Sequence, residues 1–151
     1  MITETLSVKG NLKIVVTDSK TKEVKDTRDL KNLVVATGKD YIVSRMNSNT
    51  AAVMGHMAVG TGNVAPGIAN VLLLGETARV AVDSTSITNN TITYVATYSA
   101  GVATGTIAEA GMFNSGNTTA NTGTMLCRVR FNEVNKGATD VVTVTWNITV
   151  E

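Results

Sequence analysis

Residues able to do chemistry are few and scattered in this chain. Histidine and cysteine each occur once, as His56 and Cys127. A zinc site is normally built from several such side chains, and nucleophilic catalysis needs a nucleophile beside a base. Cys127 shares the apolar parity of an alternating segment with Met125 and Val129, which is typical of a small buried residue. We therefore expect no metal, no cofactor and no enzymatic activity.

One carboxylate stands out by its surroundings. Glu109 lies in the run Ala108-Glu109-Ala110-Gly111, among small residues of a short predicted strand. Burying a carboxylate alone is costly, so the run predicts a structural ion pair. Arg79, Arg128 and Arg130 are the candidate partners. A role as general acid is less favoured, because the paired carboxylates that hydrolases use are not apparent.

Composition and charge narrow the class of protein further. The chain has 151 residues, which corresponds to one domain, and 43% of them are hydrophobic. Lys and Arg total 13 against 12 Asp and Glu, so the basic excess typical of nucleic-acid binders is missing. The apolar runs are too short to cross a bilayer, and no stretch resembles a secretion signal. We expect synthesis in the cytoplasm and no binding to nucleic acid or membrane.

Most of the chain alternates with a period of two. Leu12, Ile14 and Val16 share one parity of a first strand, in which Gly10 suggests a bulge or bend. Turn residues near Asp18 lead to a second extended segment over 23–35, which predicts a hairpin.

After the predicted hairpin, the spacing of the hydrophobic residues changes. Helical spacing predicts one short helix over 38–47, with Thr37 as N-cap and Asp40 completing a capping box. The helix should end near Asn47-Ser48-Asn49, where three short polar residues compete for the backbone.

The rest of the chain predicts further strands, about eight in all, separated by turns such as Asn114-Ser115-Gly116-Asn117. The segment 70–74 suits either a helical turn or a buried strand. The spacing favours a mainly β, antiparallel two-sheet sandwich of jelly-roll type, with a partly open barrel as the alternative. We expect a single domain over 1–151, with 1–30 as an N-terminal hairpin or arm and 31–151 as the core sandwich.

Several motifs, in order along the chain, resemble those of small virion structural proteins of tailed bacteriophages. They are Asn32-Leu33-Val34 leading to Gly38, His56-Met57-Ala58-Val59-Gly60-Thr61-Gly62, the stretch 74–79 with Glu76 and Arg79, Ala96-Thr97-Tyr98, Glu109-Ala110-Gly111-Met112-Phe113-Asn114, Met125-Leu126-Cys127-Arg128 and Val144-Thr145-Trp146-Asn147-Ile148-Thr149. The similarity extends over roughly 31–150, and the first thirty residues are outside it. It brings no catalytic residues with it.

The resemblance implies a component of a phage particle. A capsid decoration, or cement, protein on the outer head is the first hypothesis, with the lattice of the major capsid protein as its partner. A tail, baseplate or fibre-associated structural or adhesion protein is the alternative.

Self-association is expected as a dimer or trimer, because exposed strand edges have to be covered. Ends of a chain fray unless they are held, so the first residues are candidates for a partner interface. These residues are Met1, Ile2, Thr3, Glu4, Thr5 and Leu6.

Overall fold

The fold is built almost entirely of β-strands. The computed structural model describes residues 1–48, 50–114 and 117–151, and within them the chain forms nine strands and one helix. In chain order these are β1 (Val8–Asp18), β2 (Val24–Val34), α1 (Ala36–Ser44), β3 (His56–Gly60), β4 (Glu76–Ala81), β5 (Ser84–Thr88), β6 (Thr91–Tyr98), β7 (Gly105–Phe113), β8 (Met125–Lys136) and β9 (Asp140–Val150).

The described strands join in one antiparallel sheet that curls into a half-barrel. Their order is β4-β3-β7-β8-β2-β1-β9-β6-β5. A mainly β, antiparallel fold with one helix is therefore confirmed. The two separate sheets of a jelly-roll sandwich are not shown, because β2 pairs with β1 on one side and with β8 on the other, making the sheet continuous.

The N-terminal hairpin lies in the middle of this sheet. β1 pairs with β9 along its whole length, from Val8 opposite Val150 to Asp18 opposite Asp140. β2 reaches β8 only through Leu33 and Val34. Residues 1–30 fall outside the resemblance, but the hairpin that they begin joins two halves of the sheet. One half consists of β4, β3, β7 and β8, and the other consists of β9, β6 and β5.

The irregularity in this hairpin is not at Gly10, where the sequence suggested it. The register shift falls between Val16 and Thr17. Gly10 sits opposite Asn32, and a Cβ on Gly10 would overlap the Asn32 side chain. Asn32 Oδ1 accepts a hydrogen bond of 2.7 Å from Nε1 of Trp146. Glycine here leaves room for the Asn32 side chain rather than for a bend.

The core fills the concave side of the sheet. Predicted inward residues are buried as expected, including Leu12, Ile14 and Val16 of β1. Tyr98 and Trp146 are fully buried beside them, and the Tyr98 hydroxyl donates to the carbonyl of Met57 in the facing half (2.8 Å). That bond ties the two halves of the curled sheet across the core.

β4 and β5 close one corner of the half-barrel. They are consecutive in the chain, yet they occupy opposite ends of the strand order. Between them, Val82 N–H donates to Gly55 (2.9 Å) in one half and Asp83 N–H donates to Val95 (2.7 Å) in the other. The chain therefore crosses from one half of the sheet to the other at this corner.

The helix starts earlier and ends earlier than predicted. α1 begins after Val35, which occupies the N-cap position without a side-chain hydrogen bond. The predicted capping role of Thr37 is wrong, since its hydroxyl instead donates to the carbonyl of Met125 (3.1 Å). Gly38 faces β8 so closely that a Cβ would overlap the Leu126 carbonyl. Packing against β8, rather than a capping box, sets this helix.

One predicted segment differs from expectation, and two others lie partly outside the described residues. Residues 70–74 form neither helix nor strand. Of the polar run predicted to end the helix, Asn49 lies outside the described residues, as do Ser115 and Gly116 of the predicted turn.

Candidate functional site

The buried charges Glu109, Arg128 and Arg79 lie on the convex face of the half formed by β4, β3, β7 and β8. There the segment 61–75, which we call the covering segment, lies over the sheet. Small residues at Ala58 and Gly111 leave room for Leu73 of this segment, which packs with Phe113 in a second apolar cluster. The Ala-Glu-Ala-Gly run is therefore buried on both faces of β7.

Glu109 and Arg128 form an ion pair beneath this segment. Nη2 of Arg128 lies 2.8 Å from Oε2 of Glu109, and Nε donates to the same oxygen (2.9 Å). Both side chains are fully buried. The guanidinium also donates to Oδ1 of Asn70 (3.0 Å) and to the carbonyl of Val64 (3.0 Å).

The carboxylate of Glu109 also holds the backbone of the covering segment. It accepts hydrogen bonds from the N–H groups of Gly62 (3.1 Å), Leu74 (3.2 Å) and Gly75 (2.7 Å). A Cβ at Gly62 would overlap this carboxylate. The Gly-Thr-Gly motif therefore lets the backbone approach a buried acid, and both ends of the segment are anchored to one side chain.

Arg79 belongs to a second, separate ion pair. Its guanidinium donates to both carboxylate oxygens of Glu76, at 2.8 and 2.9 Å, and to the carbonyl of Thr122 (2.7 Å). The guanidinium carbon lies 4.0 Å from the centre of the Phe113 ring. Arg79 is therefore not the partner of Glu109, and Arg130 is exposed.

A third charged cluster, which the sequence did not predict, lies at the end of the sheet near the β8–β9 turn. Nζ of the buried Lys136 donates to the carbonyls of Ser99 (2.9 Å) and Asp140 (2.6 Å). Oδ1 of Asp140 lies 2.7 Å from Nζ of Lys25, and Oδ2 accepts from the Gly137 N–H (2.8 Å). The Asn135-Lys136-Gly137 turn was the available signal, but the contact with Lys25 depends on the distant hairpin.

These contacts move the pKa values of the cluster in opposite directions. The hydrogen bond from Lys25, followed by that from Gly137, lowers the pKa of Asp140 below its usual 3.8. The same bond to Asp140 raises the pKa of Lys25. Loss of hydration lowers the pKa of Lys136. The cluster therefore ties together the β1–β2 turn, the β6–β7 connection and the β8–β9 turn at one end of the molecule.

The predicted interface residues lie at the opposite end of the sheet. Residues 1–6, which we call the arm, precede β1, and their side chains are exposed. The arm starts from Ser7, whose N–H and carbonyl bond to Glu151 at 2.6 and 2.8 Å. The structure places the arm in solvent rather than against its own chain.

Two concave surfaces open near the root of the arm. One is a cleft of about 590 Å³ where β1 and β2 diverge, with Lys9, Lys31 and Lys39 along it. The other, which we call the groove, has a volume of about 280 Å³ and an apolar lining. It lies between α1 and the ends of β5, β6 and β9, where the half-barrel stays open.

Two groups with catalytic potential, Cys127 and Tyr94, lie in the apolar core. Cys127 is fully buried, and burial raises the pKa of its thiol. Burial also raises the pKa of Tyr94 to about 12. Within residues 1–48, 50–114 and 117–151, no group of three or more His, Cys, Asp or Glu side chains is placed to hold a metal ion.

No helix in the described part of the chain has the length and apolar character needed to span a membrane. Comparison of the chain with known protein families, curated proteins and solved structures finds no match.

Proposed function

We propose that this chain is a structural protein of a tailed-phage virion, and specifically a decoration protein of the outer head. It binds the assembled lattice of the major capsid protein and stabilises the shell without catalysis. The resemblance over residues 31–150 is the origin of this proposal.

One observation carries the proposal beyond the resemblance. The charged residues in the resembling motifs are used to fix surface segments onto the sheet. Glu109 and Arg128 anchor the covering segment, and Glu76 with Arg79 holds residues 121 and 122. Buried pairs that bond to the protein's own surface segments favour a rigid surface for docking over a site for substrate.

The mechanism is mass action. A protein that binds the assembled lattice, and not loose capsid subunits, shifts the equilibrium toward the assembled shell. Many copies on one lattice add their effects even when each contact is modest. A rigid outer face reduces the entropy lost on docking, which raises the affinity of each copy.

Binding to expanded, undecorated heads tests this proposal. The purified chain should sediment with such heads and raise the temperature at which they release DNA. Heads already carrying their full set of decoration protein are the control and should take up none. Heads that neither bind the chain nor gain heat tolerance would overturn the proposal.

Labelling of intact particles separates the head from the tail. Gold-labelled antibody against the chain should decorate the head surface in many copies. Label confined to the tail, baseplate or fibres would replace the decoration role with the alternative structural or adhesive one.

A further inference from the structure

The groove is an uncovered apolar surface beside an edge strand, β5, which is paired only with β6. Ile87 lines it and is 73% exposed, on a strand β5 whose residues are all exposed. Tyr41 and Ile42 of α1 form the facing wall, and Ile148 of β9 lies at its floor. Among the described strands, β5 ends the sheet, so its outer backbone groups face solvent.

The arm of the same chain carries two apolar side chains that contact no other part of the protein. Met1 and Ile2 are fully exposed, at 118% and 98%. The arm is short, yet six extended residues span about 20 Å. An apolar tip on an extended arm suits an apolar groove at that distance.

The arm and the groove open at the same end of the molecule. Ser7, at the root of the arm, bonds to Glu151, and the adjacent Val150 lines the groove. Asn90 also lines the groove and accepts a bond from the Val150 N–H (3.0 Å). Two copies that meet end to end therefore bring each arm to the groove of the other.

We propose that the groove binds the arm of a second copy of this chain, giving a two-fold dimer. Met1 and Ile2 enter the groove against Ile87, while Glu4 stays at the rim beside Asn89. Ser7 pairs with Glu151 in the ladder of β1 and β9, so the arm is directed outward past the end of its own sheet. A symmetric exchange covers both apolar surfaces with one self-complementary contact.

The oligomeric state of the full chain tests the arm and the groove separately. Sedimentation velocity over a concentration series should show a monomer–dimer equilibrium. Ile2→Glu in the arm and Ile87→Glu in the groove should each raise the dimer dissociation constant by at least about tenfold, because each removes a buried aliphatic anchor.

Matched controls separate the loss of an anchor from the added charge. Thr3→Glu adds the same charge to the arm without removing an apolar anchor, and Val24→Glu adds it to an exposed aliphatic position on β2. Both should leave the dissociation constant within about threefold of the unchanged chain. A chain that stays monomeric, or a dimer that Ile2→Glu and Ile87→Glu do not weaken, would overturn the proposal.

Disulfide trapping identifies which copy supplies the arm. A mixture of Ile2→Cys chains and Ile87→Cys chains should form a covalent dimer on mild oxidation, since Cys127 is buried. The double variant Ile2→Cys/Ile87→Cys should give covalent dimers when dilution is avoided. An intrachain disulfide in a monomer would assign the groove to the chain's own arm and overturn the exchange.

The proposed dimer and the proposed binding to the head can be disproved independently of each other. A monomeric chain that still protects undecorated heads would remove the dimer and leave the decoration role intact. If Ile87→Glu abolished head binding in a monomeric chain, the groove would belong to the capsid partner instead. A dimer that ignores heads would support the exchange and overturn the proposed function.

Discussion

At the scale of single residues, Glu109 shows how one buried acid organises a surface. It meets Arg128 and three backbone N–H groups, all within 3.2 Å. Removing one member of a buried ion pair typically costs more than the pair itself contributes, because the other charge stays buried. The pair should therefore behave as a unit in mutagenesis.

Glu109→Gln should lower the free energy of unfolding by about 3–5 kcal/mol, since it leaves the Arg128 guanidinium without a counter-charge. The double variant Glu109→Gln/Arg128→Met should be less destabilised than Glu109→Gln alone. Urea denaturation measures both. Glu133→Gln, at an exposed position of β8, is the control and should change stability by less than about 0.5 kcal/mol. Equal effects of Glu109→Gln and Glu133→Gln would show that the pair has no such role.

The pKa of Asp140 predicts a defined acid sensitivity. Because Lys25 and Gly137 lower this pKa below 3.8, the charged carboxylate stabilises the fold at pH values above 3.8. That contribution is lost as the pH falls through the lowered value. Urea denaturation should therefore show Asp140→Asn less stable than the unchanged chain at neutral pH, with a difference that shrinks below pH 3.8.

The exposed Asp83 offers the control for this measurement. Asp83→Asn should remain close to the unchanged chain across the same pH range. A stability difference for Asp140→Asn that stays constant from neutral pH to pH 3 would show that the Lys25 contact does not act through the charge of Asp140.

At the scale of elements, α1 is placed by its contact with β8 rather than by its own sequence. The helix lacks a side-chain cap, and Gly38 lies against the backbone of Leu126. Glycine inside a helix costs about 1 kcal/mol relative to alanine, so propensity alone favours replacement of Gly38. The contact with the Leu126 carbonyl reverses that sign, because backbone cannot easily move aside.

Gly38→Ala should therefore destabilise the protein by about 1–3 kcal/mol, as overpacking does in well-packed sites. The thermal midpoint followed by circular dichroism measures the change. Lys39→Ala, at the next and exposed position, tests helix propensity without the close contact and should be close to neutral. If Gly38→Ala raised the midpoint, the helix would not be pressed against β8.

The sequence predicted those features of each element that depend on neighbouring residues, and it missed those that depend on contacts with distant segments. Alternation correctly predicted the inward residues of β1 and the burial of Cys127, because parity within one strand decides them. It gave no sign that Arg128 is buried while Arg130 is exposed, since both share the polar parity of β8. A segment some sixty residues away covers one and not the other. The small residues around Glu109 predicted a partner but could not choose among three arginines.

At the scale of the whole molecule, one continuous sheet and two packed sheets produce the same alternation in every strand. What distinguishes them is the pairing of β2 with both β1 and β8, which is a long-range property. The hairpin therefore has a larger role than its place at the start of the chain suggests. It supplies the middle of the sheet, and β1 carries Leu12, Ile14 and Val16 into the core.

Deletion of residues 1–34 should accordingly prevent folding. Losing those three buried aliphatic side chains alone removes about 5–9 kcal/mol, against a total stability of about 5–15 kcal/mol for a typical domain. Deletion of residues 1–6 removes only exposed side chains and should leave the fold unchanged at dilutions where the chain is monomeric. Trp146 is fully buried, so its fluorescence and near-ultraviolet circular dichroism report directly on the core. The chain lacking 1–34 could instead show a cooperative thermal transition and the emission of a buried tryptophan. Residues 35–151 would then fold alone, and the hairpin would not be needed to join the two halves of the sheet.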